Sequence, residues 1–205
     1  MIIDSHKCIF VHVPRTGGTS IEKFFIDHVD SDLQSQIRFV DDYKNHEQHL
    51  SIKEMLKYDL ITEETLDSHL VFAFVRNPWD LVLSEFKRHQ ADKWRSFEEY
   101  VTMMPSLLKD GWGIRYKDLR FVYIQPQHKY FNSDIHCRNL FVGRFENLVS
   151  DFDEVKKIAE LPDEKLPHEN PSKKVKTYKD FYTDKMRSII EEYYKEDIER
   201  YGYEF

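Results

Sequence analysis

Apolar positions along the chain fall into three short continuous runs, each followed by a polar turn and then by a stripe at helical spacing. Residues 9–13 form a near-continuous apolar run, as expected of a strand covered on both faces. Pro14 stops its ladder, and Gly17 and Gly18 permit positive φ and close approach of a ligand. Ile21, Phe24, Phe25 and Val29 then keep helical spacing, with Thr19 or Ser20 as the expected cap. The second run, residues 70–75, ends in Arg76-Asn77-Pro78, and a helix follows from Trp79 with Val82, Leu83 and Phe86 on one face. The third, residues 139–145, leads into a helix marked by Leu148, Phe152, Val155 and Ala159.

The first two strand–turn–helix units lie roughly sixty residues apart, which predicts parallel strands joined by right-handed crossovers. The expected fold class is α/β: a P-loop-like three-layer fold with a central, mainly parallel sheet flanked by helices, forming one domain over residues 1–205. Ligands of such sheets bind at the carboxyl ends of the strands, where both turns fall. Between the runs the pattern is weaker. Residues 30–47 read as a loop able to fold over the first turn, with short helical signals at 51–56 and 62–66. Ser96-Phe97-Glu98-Glu99 has the form of a capping box, opening a short helix with Phe97, Tyr100, Val101 and Met104 inward. Residues 105–120 and 161–176 read as loops. Thr183 caps a last helix with Met186, Ile189, Ile190, Tyr193, Tyr194 and Tyr201 as its stripe, and Gly202 ends it.

Composition narrows the class. Hydrophobic residues at 40% and charged residues at 33% suit a soluble globular domain. The net charge of −7 argues against an extended nucleic-acid surface, so no nucleic-acid polymer is expected as a partner. Cys8 and Cys137 make no disulfide framework, which points to a reducing, cytoplasmic setting. No apolar run reaches membrane-spanning length, so no membrane insertion is expected.

A glycine turn feeding a helix N-terminus offers N–H groups and a partial positive charge, which makes an anion site. Arg15 and the hydroxyls of Thr16, Thr19 and Ser20 favour phosphate as that anion. It is not a Walker A loop: no Gly-Lys-Ser/Thr occurs, and the cation precedes the glycines. At the second turn Arg76 can clamp a phosphate, with Ser84 one helical turn beyond Asp80; taken alone, the turn reads first as a surface ion pair of Arg76 with Asp80 or Glu85. His46 and His49 lie three apart but lack a dependable third ligand, so no metal site is expected. Either imidazole can serve as a base if its loop closes over an electrophile. Lys173 and Lys174 read as a solvated basic pair, and no carboxylate follows a strand as a magnesium ligand would.

The stretches from Phe10 to Ser20, from Phe74 to Ser84 and from Val142 to Leu148, with a fourth from Leu166 to Ser172, together resemble the sulfotransferases, in particular small bacterial relatives of the carbohydrate (family 2) enzymes. The resemblance covers nearly the whole chain. It implies 3′-phosphoadenosine 5′-phosphosulfate as donor, adenosine 3′,5′-bisphosphate as product, no metal, and a saccharide or small-molecule acceptor with a hydroxyl or amine. On this resemblance Thr16, Gly17, Gly18, Thr19 and Ser20 hold the 5′-phosphate, Arg76 and Ser84 the 3′-phosphate, Phe145 lies near the adenine, and Ser172 and Lys173 belong to a closing loop. The family commonly carries Lys where this chain has Arg15, which can stabilise a leaving phosphate but does not readily give up a proton. His49-Leu50-Ser51 resembles the stretch that holds the family's base, so His49 is the expected base and His46 the reserve. Two other readings remain at this level: a small-molecule kinase built on a nucleotide loop, and a nucleotide-binding protein of the same fold without turnover. Trp112, Tyr116 and Tyr123 are available either to stack on an acceptor or to fill a core. Oligomeric state is not encoded in any of these patterns.

Overall fold

A computed structural model of the chain describes residues 1–32, 49–91, 93–108, 124–131, 135, 137–167 and 177–205. His46, Trp112, Tyr116, Tyr123, Ser172, Lys173 and Lys174 lie outside the described residues. The chain has an α/β fold in which a four-stranded, mainly parallel sheet is flanked by helices. By its contacts it forms two compact units, Met1–Val75 with Lys129–Pro171, and Arg76–His128 with Ser172–Phe205.

The first unit holds the sheet. The strands are β1 (Ile2–Ile3), β2 (Cys8–Val11), β3 (Leu70–Val75) and β4 (Leu140–Arg144), hydrogen-bonded in the order β1-β2-β3-β4. β2, β3 and β4 are parallel, with Phe10 opposite Phe72 and Phe72 opposite Phe141. β1 pairs antiparallel with β2, an edge that a two-residue strand is too short to announce by periodicity. Every residue of β2 is buried, and so are residues 71–75 of β3, so both faces of the sheet centre are covered. Helix α1 (Gly18–His28) and helix α6 (Leu148–Ile158) supply Phe24, Phe25, Phe152 and Val155 to a core shared with Phe10, Phe72 and Phe74. Its rings meet mainly edge to face, as between Phe24 and Phe152 at 5.0 Å. Two short helices complete the unit, α2 (Ile52–Lys57) and α3 (Glu63–Ser68), each opened by a capping box at Ser51 and Thr62.

The second unit is helical: α4 (Pro78–Glu85), α5 (Phe97–Leu108), α7 (Asp184–Tyr193) and α8 (Lys195–Tyr201). Its core joins Trp79, Val82, Tyr100, Val101, Met104, Met186, Ile190 and Tyr194. Two sequence expectations are corrected here. α5 runs through Pro105 to Leu108 rather than yielding to a loop at residue 105. Pro105 forfeits one intrahelical bond, from position 105 to the Val101 carbonyl, and the buried stripe of Tyr100, Val101 and Met104 holds the helix in place despite it. The single helix expected after Thr183 is broken at Tyr194, whose buried hydroxyl donates to the Ile124 carbonyl at 2.6 Å. Thr183 does cap α7, accepting from Met186 N–H, and Gly202 ends α8 in the left-handed region.

Candidate functional site

The first turn belongs to the first unit. After β2, Val13 N–H donates to the Val11 carbonyl, and the Thr16 hydroxyl donates back to Val13 at 2.8 Å. That bond ties the turn closed from inside, so the fully buried Thr16 side chain serves the loop itself. Arg15 takes a positive φ of 64°, uncommon for a residue with a side chain. Gly17 follows at φ 86° and is the N-cap of α1. The expected cap, Thr19 or Ser20, is therefore corrected: both lie inside the helix, and the cap makes no side-chain bond. The reason is geometric, since the left-handed kink at Gly17 starts the helix early enough for Ser20 N–H to reach the Gly17 carbonyl at 3.0 Å.

Gly18 is needed for space rather than for its φ. A Cβ there would stand 2.1 Å from both Cδ2 and Nε2 of His12, so the imidazole lies directly against the helix start. His12 sits in what the sequence presents as an apolar strand, yet it is only 4% exposed and donates from Nδ1 to the buried Glu22 carboxylate at 2.7 Å. The apolar pattern of the strand does not reveal this pair. Its signal is a histidine at a strand end with a glutamate ten residues on, one helical turn past Gly18.

His49, expected as a base, is placed on this same turn. Its Nδ1 lies 2.9 Å from the His12 carbonyl, and the two rings meet edge to face at 4.4 Å. A carbonyl only accepts, so Nδ1 carries the hydrogen and Nε2 of the neutral ring carries the lone pair. The ring is thus set in the tautomer that a proton acceptor requires. Its neighbour Ser51 opens α2, and the Glu54 carboxylate takes hydrogen bonds from Ser51 N–H at 2.9 Å and from its hydroxyl at 2.6 Å, which anchors the segment. Phe145, at the end of β4, faces Gly17: a Cβ on that glycine would meet the Phe145 ring at 3.3 Å and Leu148 at 2.6 Å. The expected first-turn residues and Phe145 are therefore neighbours, and His49 joins them.

The second turn belongs to the second unit. Arg76 follows β3 directly and is 6% exposed, so it is a buried residue and not the surface pair that the sequence allows. Its Nε and Nη2 both donate to Asp80 Oδ2, at 3.0 and 2.8 Å. Asn77 caps α4 by accepting from the N–H groups of Trp79 and Asp80, while Pro78 takes the first helical position. Asn77 Nδ2 donates in turn to the Glu204 carbonyl at 2.9 Å and to the Tyr178 hydroxyl at 3.2 Å. Ser84 lies half-buried on α4, one turn beyond Asp80 as expected. Burial and the nearby Asp80 carboxylate push the Tyr182 hydroxyl well above its ordinary range, keeping it a donor to the Trp79 carbonyl at 2.8 Å.

Among the described residues no group of three or more His, Cys, Asp or Glu side chains could hold a metal ion. No helix among them is long and apolar enough to cross a membrane. A concave surface of about 820 Å³, lined by Lys7, Leu70, Arg138 and Leu140, lies at the amino-terminal edge of the sheet, opposite the edge that carries the first turn.

A protein-family model described as the sulfotransferase family matches residues 1–204. Among solved structures, the chain is similar to a sulfotransferase from Alicyclobacillus acidocaldarius, with a TM-score of 0.55 and 14% identity over 95% of this chain and 93% of the other. Comparison with curated proteins gives no significant match.

Proposed function

Because the chain belongs to the sulfotransferase family, we propose that it moves the sulfuryl group of 3′-phosphoadenosine 5′-phosphosulfate to a hydroxyl or amine of a saccharide or other small acceptor. The observation that carries this reading is the seating of His49 on a glycine turn that opens a helix, with its Nδ1 committed to the His12 carbonyl.

In this reading the donor brings the sulfuryl group and a phosphate leaving group, and the protein supplies charge, orientation and a proton acceptor. The N–H groups at the start of α1, with the hydroxyls of Thr19 and Ser20, hold the 5′-phosphate. The Thr16 hydroxyl is already bound within the loop, so Thr16 contributes shape and its main chain. Arg15 steadies the negative charge that builds on the bridging oxygen as the sulfur–oxygen bond breaks. His49 Nε2 accepts the acceptor's proton as the new bond to sulfur forms. Phe145 offers a ring beside the first turn for the adenine, and Arg76 with Ser84 takes the 3′-phosphate. Ser172 and Lys173 complete the site in this proposal. The fit rests on each turn separately: a glycine cradle too tight for a Cβ at Gly17, and a guanidinium held in one orientation by Asp80.

The test is sulfate transfer from labelled donor across a panel of saccharides and phenols, with calorimetry of adenosine 3′,5′-bisphosphate alongside. His49→Ala is expected to lower turnover by roughly 10²–10⁴ while product affinity stays within about twofold. Full turnover in that variant removes His49 from the chemistry. Binding of ATP with magnesium in preference to the bisphosphate would return the site to the kinase reading.

A further inference from the structure

The second turn is held by a buried polar frame that the assignment of Arg76 alone does not use. Gln127 is fully buried, and its side-chain amide bonds both polar groups of the Arg76 main chain. Arg76 N–H donates to Gln127 Oε1 at 2.8 Å, and Gln127 Nε2 donates to the Arg76 carbonyl at 2.8 Å. The amide therefore acts as a single rung of sheet, just past the end of β3. Gln127 is itself fixed from α8. The buried Asp197 carboxylate accepts from Gln127 N–H at 2.6 Å, from His128 N–H at 2.9 Å and from His128 Nδ1 at 2.6 Å. His128 Nε2 meets Glu196 at 3.1 Å on the same helix.

We infer that Gln127, locked by Asp197, is a positioning residue that sets the Arg76 guanidinium for the 3′-phosphate of the donor. The inference rests on the reading of Arg76 given above. A guanidinium recognises phosphate through a flat fork, so its value depends on where its plane points. That plane has two anchors, the backbone at the root of the side chain and the carboxylate at its tip. Asp80 holds the tip, and Gln127 holds the root. Main-chain groups at this depth need partners, and a solvent molecule could satisfy them but would not fix their direction. A side-chain amide pinned by a carboxylate on another helix does both. An error of about 1 Å at such a group is enough to lose on the order of 10²-fold in function.

The experiment compares affinities for adenosine 3′,5′-bisphosphate and adenosine 5′-phosphate, which differ only in the group assigned to Arg76. Wild type, Gln127→Met and Gln127→Glu are measured by calorimetry, with circular dichroism as the check of folding. Wild type is expected to favour the bisphosphate strongly. Gln127→Met should lose tenfold or more of that preference while its affinity for the 5′-phosphate stays within about twofold. Gln127→Glu keeps an acceptor for Arg76 N–H but no donor for its carbonyl, and should fall between. A general loosening of the fold would weaken both ligands together and leave their ratio unchanged. A folded Gln127→Met with the wild-type ratio overturns the inference and leaves the assignment of Arg76 standing. A wild-type protein without the preference overturns that assignment and this inference with it. If Gln127→Met does not fold, Gln127→Glu carries the comparison, and failure of both to fold makes Gln127 a folding residue and overturns its positioning role.

Discussion

Gly18→Ala sets two rules against each other. Inside a helix Ala is favoured over Gly by about 1 kcal/mol, so propensity alone predicts a more stable protein. The structure predicts the opposite. The new Cβ would stand 2.1 Å from His12 Cδ2 and Nε2 and 2.6 Å from Cε1, against the 3.4–4 Å of ordinary contact. The imidazole must therefore retreat by more than an ångström. It is held in front by its bond to Glu22 at 2.7 Å and stacks on Phe10 at 5.4 Å between centroids. Forcing extra volume into a packed interior costs about 1–3 kcal/mol. Losing a buried hydrogen bond to a carboxylate costs about 1.5–3 kcal/mol more. After the propensity gain, the expected net loss is about 1.5–5 kcal/mol. Urea unfolding with linear extrapolation measures it, and a double-mutant cycle with His12→Ala assigns it. With the ring removed, Gly18→Ala should be neutral or stabilising, giving a coupling of about 1.5 kcal/mol or more. A Gly18→Ala protein as stable as wild type refutes the steric argument, and an equal loss in both backgrounds refutes the role of His12.

Three further outcomes follow from described contacts. Asp80→Ala takes the carboxylate from the buried Arg76 side chain and should cost about 3–5 kcal/mol in urea unfolding, with Asp80→Asn losing less because its amide oxygen still accepts. Burial pushes the Cys8 thiol from 9.0 up to about 11. Between those values the unfolded chain gives up a proton that the folded chain keeps, so stability should fall as pH rises from about 9 to 11, and Cys8→Ala should flatten that limb of the curve. Ser51→Ala breaks the capping box of α2 and should cost about 1 kcal/mol in the same assay; a change below about 0.3 kcal/mol would mean that packing alone holds α2 and its link to His49.

The parts of the fold that could be read from sequence are those carried by local pattern. The buried run over residues 70–75 is the observed β3, Pro78 opens α4, and Thr183 opens α7, because apolar runs and caps are written in neighbouring residues. The edge strand β1 was not legible, since two residues carry no period. Propensity misled at Pro105, where a helix stripe buried on one side outweighs one lost bond. In the candidate site, the two turns were legible from Gly, Pro and Arg placement, whereas His49 was singled out only through the resemblance of His49-Leu50-Ser51 to the family's stretch. The pairs that hold them were not. His12 looks apolar in its strand until the helix brings Glu22 to it, and Gln127 finds Arg76 across 51 residues. A hydrogen bond that spans 51 residues has no signature in a local window of sequence.

The frame around Arg76 and Asn77 also has a place in time. Its partners lie 51 and more residues downstream: Gln127 at a separation of 51 from Arg76, Asp197 at 70 from Gln127, and Glu204 at 127 from Asn77. On a ribosome the strand β3 and the turn after it emerge with none of these groups yet made, while the first turn already has β2 and α1 beside it. A nascent chain at that stage therefore carries a first turn that lacks only its later neighbours Phe145 and Leu148, and a second turn that is completed when its closing helix is released.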